Sequence, residues 1–248
     1  MSLTWSETFN ASGGQPDPSK WTCCVNQEGG GNQELQYYVP EAVSCSPAGL
    51  VITASRDSGT YAGWNGPSQY LSGKCWTKGK FEWRYGRLDV EAILPTGPGA
   101  WPAIWMLGAN LDEYTWPLCG ELDVAEWFGG SPNPADPRAG NPLSVSGSMH
   151  SAADSPTAVY TLPSATLAPA LRTYSLDWRP TSLTWLVDGD PYQTVLKKDC
   201  KSWVFDLPQF LILNLAIGGT MGGAPPATGG LPYQMVVKSV ELYNAEVS

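Results

Sequence analysis

The chain has 248 residues, a formal net charge of −9 at pH 7 and only 15% charged residues. That balance excludes nucleic acid and anionic membrane surfaces as partners, since both are held by basic patches. No apolar run approaches the roughly eighteen residues of a membrane-spanning helix, and the length allows one large β domain or two small ones.

Thr4–Phe9 alternates and reads as a first strand. Asn10-Ala11-Ser12 is a formal glycosylation sequon, meaningful only in a eukaryotic secretory host, and 10–20 is turn-forming. Gly29-Gly30-Gly31 leads through Asn32-Gln33-Glu34 into the polar-aromatic strand Leu35-Gln36-Tyr37-Tyr38. It is not a phosphate loop, because no Lys-Ser/Thr follows and no helix opens after it. Glycines there let backbone approach a ligand closely. Gly49–Ala54 and Lys80–Trp83 read as further strands. Tyr85–Leu94 alternates, with Arg87, Asp89 and Glu91 expected on a solvated face opposite Leu88, Val90 and Ala92. In Trp101–Leu107, Trp101, Ala103 and Trp105 share one face and Ile104 and Met106 the other. The second face supplies the core side chains, which leaves the tryptophans for a binding surface.

Cys119–Gly130 holds three carboxylates on a strand-like run ended by a glycine pair. Alternation puts Glu121 and Asp123 on one face; position 125, next on that face, is Ala, and the third acid stands at 126. A β-bulge at Val124-Ala125 absorbs the extra residue and returns Glu126 to the face of Glu121. The Cα atoms of 121 and 126 are then about 13 Å apart. Two inward-leaning Glu side chains can bring their carboxyls to about 5 Å, the separation of a retaining glycosidase. Asp123, between them, can hydrogen-bond a neighbour and tune its proton affinity. A solvated acidic strand edge accounts for the spacing of the acids, but not for Trp101, Trp105, Trp116 and Trp127 crowded around them. Sugar rings stack on such faces.

The segment 129–142, with Pro132, Pro134 and Pro137 in its middle, reads as a surface connection and a wall of the cleft. Ser144–His150 is the next strand and ends at the single histidine. Thr173–Trp178 and Ser182–Val187 are strands, and Asp188-Gly189 makes a tight hairpin into Tyr192–Val195. Phe210–Ile217 is an apolar central strand whose one polar residue, Asn214, is either satisfied inside or turned to the ligand. Gly218–Pro232 is a loop and Gln234–Tyr243 the closing strand. With 27 Gly and 22 Pro punctuating short strands, and no repeat, linker or charge block, the chain is expected to be one all-β domain over 1–248.

The six cysteines lack metal-site spacing, and one histidine cannot complete a zinc site. Their even number in a loop-rich acidic chain leans toward an oxidising, extracellular setting. The pairing stays open, with free buried thiols as the alternative; the adjacent Cys23 and Cys24 are not expected to pair with each other. Met1-Ser2-Leu3 runs into a strand without an apolar leader, so the chain is either cytosolic or a secreted protein whose signal peptide is absent here. The cysteines favour secretion.

Several stretches, in order, resemble glycoside hydrolase family 16 in its laminarinase-like branch of endo-β-1,3-glucanases: Asn32–Tyr38, Tyr85–Leu88, Leu94-Pro95 with Trp101–Gly108, Trp116-Pro117 with Gly120–Gly129, Met149-His150 and Leu213–Gly219. The resemblance implies a β-jelly-roll sandwich of two curved antiparallel sheets with a concave substrate cleft. It implies Glu121 as nucleophile, Glu126 as general acid/base and Asp123 as the assistant of Glu121. Trp105 and Trp116 would line the sugar site beside the cut, Trp101 and Asn32 would flank the cleft, and His150 would face the leaving-group side. A β-glucan polysaccharide is the expected partner of a monomeric enzyme without cofactor.

Where the family often has Trp before Gly-Asn and Asn-Trp-Pro-Gly after the late glycines, this chain has Gly30 and Thr220-Met221-Gly222-Gly223. Many members bind calcium through an N-terminal Glu and a C-terminal Asp; here Glu7 stands at the first place and Lys238 at the second. No metal is therefore expected, and a Glu7–Lys238 ion pair is the expected substitute. Competing readings are a non-catalytic glucan-binding module, whose relatives have usually lost the glutamates, and an endo-galactanase.

Overall fold

The computed structural model describes all residues except 11–12, 27–28, 132, 134, 163–169 and 245–248, so the sequon at 10–12 lies largely outside the described residues. Two sheets, antiparallel except where Gln36–Tyr38 runs parallel to Tyr70–Ser72, stack as the expected all-β jelly-roll sandwich. In spatial order the seven-stranded sheet runs Thr157–Thr161, Ser144–His150, Glu121–Glu126, Ala100–Gly108, Gln209–Ile217, Lys74–Trp76 and Thr22–Cys23. The ten-stranded sheet is centred on Gly86–Ile93, Tyr233–Tyr243 and Gly49–Arg56, with Arg172–Arg179, Ser182–Val187 and Asp190–Leu196 on one flank. Asp188 and Gly189 both take positive φ at the turn joining the last two, which suits the right-handed twist of a hairpin.

One apolar cluster fills the space between the sheets. Ile104, Met106, Leu122, Val124, Leu213 and Leu215 enter it from the smaller sheet. Leu88, Val90, Leu176, Trp185 and Val237 meet them from the larger one. Gln209–Ile217 is buried along its whole length, as the apolar run implies. The opposite face of the smaller sheet is left to carry the site.

Three expectations are corrected. Lys80–Trp83 is not a strand: the amides of Lys80 and Phe81 both bond the Thr77 carbonyl in a turn, and only Trp83 bridges to Gln209. The apolar residues there serve an aromatic stack, Phe81 lying 4.3 Å from Trp5 and 5.4 Å from Trp83 between ring centres. The Glu7–Lys238 pair does not form. Lys238 bonds Glu91 at 3.2 Å, because strand register sets Ser239 opposite Glu91. Glu7 instead gives one oxygen to the amides of Thr8 and Phe9 and the other to the Lys20 ammonium at 3.0 Å. With both oxygens engaged and a cation already against them, the residues present do not fit a calcium ion. Finally, all six cysteines are free thiols, with Cys23 and Cys75 facing each other as cross-strand neighbours.

Candidate active site

The acidic strand Glu121–Glu126 carries the expected irregularity. Against Ala100–Gly108, Trp105 pairs with Asp123 and Ile104 with Ala125, so Val124 has no partner. On the other side Asp123 faces Ser148 and Glu126 faces Ser146, so two residues, Val124 and Ala125, oppose one, Gly147. Val124 and Ala125 both sink into the core, and Glu126 rejoins the face of Glu121 and Asp123. Regular pleating would have sent position 126 inward beside Leu122.

The bulge frees the Asp123 carbonyl from the ladder. Trp185, reaching across the core from the larger sheet, donates its indole N–H to that oxygen at 2.7 Å. Gly147 makes room for the ring: a Cβ there would meet the indole at 2.3 Å. The irregular backbone is therefore satisfied from behind, where an unpaired buried carbonyl would be costly.

All eight residues expected at the site line one cavity of about 660 Å³. Trp101 donates its indole N–H to Glu126 Oε1 at 2.9 Å. Trp105 donates to Asn214 Oδ1 at 2.6 Å, and Asn214 Nδ2 donates to the Tyr38 hydroxyl at 3.0 Å. Asn214 is thus both satisfied and part of the cleft floor. His150 Nε2 lies 3.1 Å from Asp123 Oδ2 and 3.7 Å from Glu121 Oε1, so its ring sits against that end of the carboxylate row. Trp116 stands half-exposed above it, ring centres 6.4 Å apart. Asn32 is held in the glycine turn, its carbonyl accepting the Thr220 amide at 2.8 Å.

Burial dominates the electrostatics. It pushes the Glu126 carboxyl up to about 8, reinforced by the Asp123 charge and opposed by Trp101, His150 and Arg138. Burial also raises Asp123 to about 7. Glu121 is raised too, by burial first and then by the neighbouring Asp123, with His150 opposing. Three such carboxyls in one row cannot all be ionised at neutral pH, and they titrate as a set.

The site also contains groups that the sequence did not single out. Lys74 projects into the cleft with its ammonium 5.4–5.8 Å from the ring centres of Trp105, Trp76 and Tyr38. It faces the buried Glu34 carboxyl, whose pKa desolvation raises and Lys74 lowers. At Gly30, whose φ is +54°, a Cβ would meet Glu34 Oε1 at 2.0 Å, so a tryptophan there would be strained and would have to displace the Glu34 carboxyl. Arg138, from the proline-rich connection, lies 4.8 Å over Phe128 and is fixed by two-pronged bonds to Asp136. Alternation of Lys74 with Trp76 was the available signal for the first; nothing local marks the second.

The sequence pattern of the glycosyl hydrolases family 16 matches residues 35–238. A β-glucanase of Rhodothermus marinus is 35% identical over 97% of this chain and 84% of its own length. A glucan endo-1,3-β-glucosidase A1 of Niallia circulans is also 35% identical, over 99% of this chain, which spans 38% of that longer protein. Among solved structures, the laminarinase catalytic domain of Thermotoga maritima superposes with a TM-score of 0.88 at 33% identity, covering 98% of both chains.

Proposed function

The chain belongs to glycosyl hydrolase family 16, and on that premise we propose that it is a retaining endo-hydrolase of β-1,3 linkages in β-glucans of laminarin type, with mixed-linkage β-1,3-1,4-glucan as a second substrate. The observation that carries this reading is the bulge at Val124, which sets three carboxylates on a tryptophan-walled cleft. The acidic strand has two strands on one side and four on the other, and residues from both sides line the cavity. A polymer laid across the sheet has room on either side of the carboxylates, which suits cleavage within a chain.

Glu121 is the proposed nucleophile. One of its oxygens attacks the anomeric carbon while Glu126, protonated at neutral pH by its pKa of about 8, gives its proton to the departing glycosidic oxygen. Glu126, now ionised, takes a proton from water, and the water oxygen opens the glycosyl-enzyme ester with net retention. Asp123 and Glu121 share a proton; the form with the proton on Asp123 leaves Glu121 ionised for attack. His150, bonded to Asp123, orients that carboxyl. The Trp101 indole fixes the rotamer of Glu126. Trp105 and Trp116 would hold the sugar beside the cut, and Asn32 would bound the cleft at the glycine turn.

The whole chain, 1–248, is the proposed catalytic unit, acting as a monomer. A polymeric glucan does not cross membranes, so a secreted enzyme is the consistent reading; among the described residues no helix is long and apolar enough to span a membrane. The test is reducing-sugar release from laminarin by the native chain and by Glu121→Ser. Release that disappears with the substitution supports the proposal. No release by the native protein would favour a binding module, and activity surviving the substitution would remove the nucleophile.

A further inference from the structure

We infer that the cleft continues past the Gly29–Gly31 turn onto the indole of Trp64, which forms an outlying platform for a glucosyl ring of the same polysaccharide chain. The inference rests on the glucanase reading for the identity of that sugar.

Trp64 and Asn65 are the tip of a short hairpin in which Ala62 pairs with Pro67 and Gly63 with Gly66. Trp64 is 48% exposed as a residue, although tryptophans are on average highly buried. Its position is nonetheless fixed. The indole N–H donates to the Glu34 carbonyl at 2.9 Å, so its one polar group is satisfied. The ring lies against Gly29 so closely that a Cβ at that glycine would meet Cε2 and Nε1 at 2.9 Å. The hairpin base is clamped twice. Tyr61 stacks on Tyr37 at 4.5 Å with an interplanar angle of 16°. Ser68 donates its amide to the Tyr61 carbonyl at 2.8 Å and its hydroxyl to Asp57.

A braced hairpin thus presents one half-bare indole face, contiguous with a ligand cleft whose lining includes Gly29, Gly30 and Gly31. What sets this ring apart from the other exposed apolar side chains is that it is held rigid and packs on a glycine of the cleft lining. The glycines carry no side chains between cleft and ring, so a ligand can pass low over them. A pyranose offers an apolar C–H face of about the size of the indole and hydroxyls at its edge, which match an aromatic platform without a charge partner. The turn adjoins the end of Gln209–Ile217 through the Glu34–Gly218 bridge, two strands from the carboxylates. That offset is about 10 Å by strand spacing. Trp64 lies beyond that turn, outside the cavity lining, so the platform is met by chains extending several sugars past the scissile bond and missed by a trisaccharide placed across it.

Trp64→Ala and Trp64→Phe are compared on laminarin and on the β-1,3-linked trisaccharide, with retardation of each protein in laminarin-containing native gels as a readout independent of turnover. The expected result is a drop of about tenfold in the ratio of kcat/KM for laminarin to that for the trisaccharide in Trp64→Ala, the change that 1.4 kcal/mol produces. Trp64→Phe retains part of the ratio, and gel retardation weakens in the same order. An unchanged ratio, equal losses on both substrates, or native-like retardation of Trp64→Ala would overturn the inference. Should the native protein release no sugar yet be retarded in a Trp64-dependent way, the platform stands and the glucanase reading falls.

Discussion

The two ends of the cleft are built by different means. At the carboxylate end, geometry comes from the backbone: one unpaired residue, Val124, re-aims Glu126, and the freed carbonyl is held by Trp185 from the far sheet. At the glycine-turn end, geometry comes from side chains packed on their neighbours: Trp64 on Gly29, and Lys74 among three aromatic rings. The chemistry is therefore tied to the core, so that a change behind the sheet reaches the reacting groups. Trp64, by contrast, sits on a separate two-stranded hairpin outside the core cluster, so a change there does not act through the core. This division suits an enzyme whose reacting atoms need positions fixed to a fraction of an ångström while its outlying sugar contacts need only area.

Glu126→Gln tests the carboxylate end most severely. Removing the proton donor is expected to lower kcat on laminarin by about three orders of magnitude, within the usual range for general acid–base catalysis. The same variant sharpens the electrostatic argument. An unfolded Glu titrates near 4.3, whereas this one is raised to about 8 in the folded chain. Below the unfolded value both states are protonated and the group has no effect on stability. Between the two values the folded chain keeps a proton that the unfolded chain releases, so stability falls as pH rises toward 8 and is then level. Glu126→Gln is accordingly expected to raise Tm relative to the native chain at pH 8 more than at pH 5. A gain independent of pH would contradict the raised pKa.

Trp185→Phe separates the two ends. It leaves the Asp123 carbonyl buried without its donor, at a cost of about 1–3 kcal/mol in unfolding free energy. Because Trp185 acts through the bulge and touches no substrate, kcat should fall by about tenfold with KM little moved, the pattern of a lost transition-state arrangement. The readout is denaturant unfolding together with steady-state kinetics. A change confined to stability would make the tryptophan a packing residue and uncouple the bulge from the core.

Much of the carboxylate end could be read from the sequence because its irregularity is local. The acid at 126 instead of 125 breaks an otherwise regular alternation, and only a bulge restores one face. The tryptophans at 101 and 105 fell on that face because Ile104 and Met106 claimed the other. What escaped depends on distant partners. The indole of Trp185 and the space above Gly147 meet only when the two sheets close. Trp64 lies in a turn-rich stretch whose strands are two residues each, too short for any periodic signal. Lys80–Trp83 carries strand-type residues whose backbone is taken by a turn and whose rings are taken by Trp5. Glu7 found Lys20 instead of Lys238 because strand register gave Lys238 to Glu91. Charge pairing across a sheet follows register, and register is set by the whole sandwich.

The most direct test of the account is to trap the glycosyl-enzyme with an activated 2-deoxy-2-fluoro β-1,3-glucoside and locate the adduct by peptide mass spectrometry. A single covalent sugar is expected on Glu121, formed with loss of activity and released slowly as turnover resumes. A sugar on Glu126 or Asp123, or inactivation without any adduct on the 121–126 strand, would contradict it.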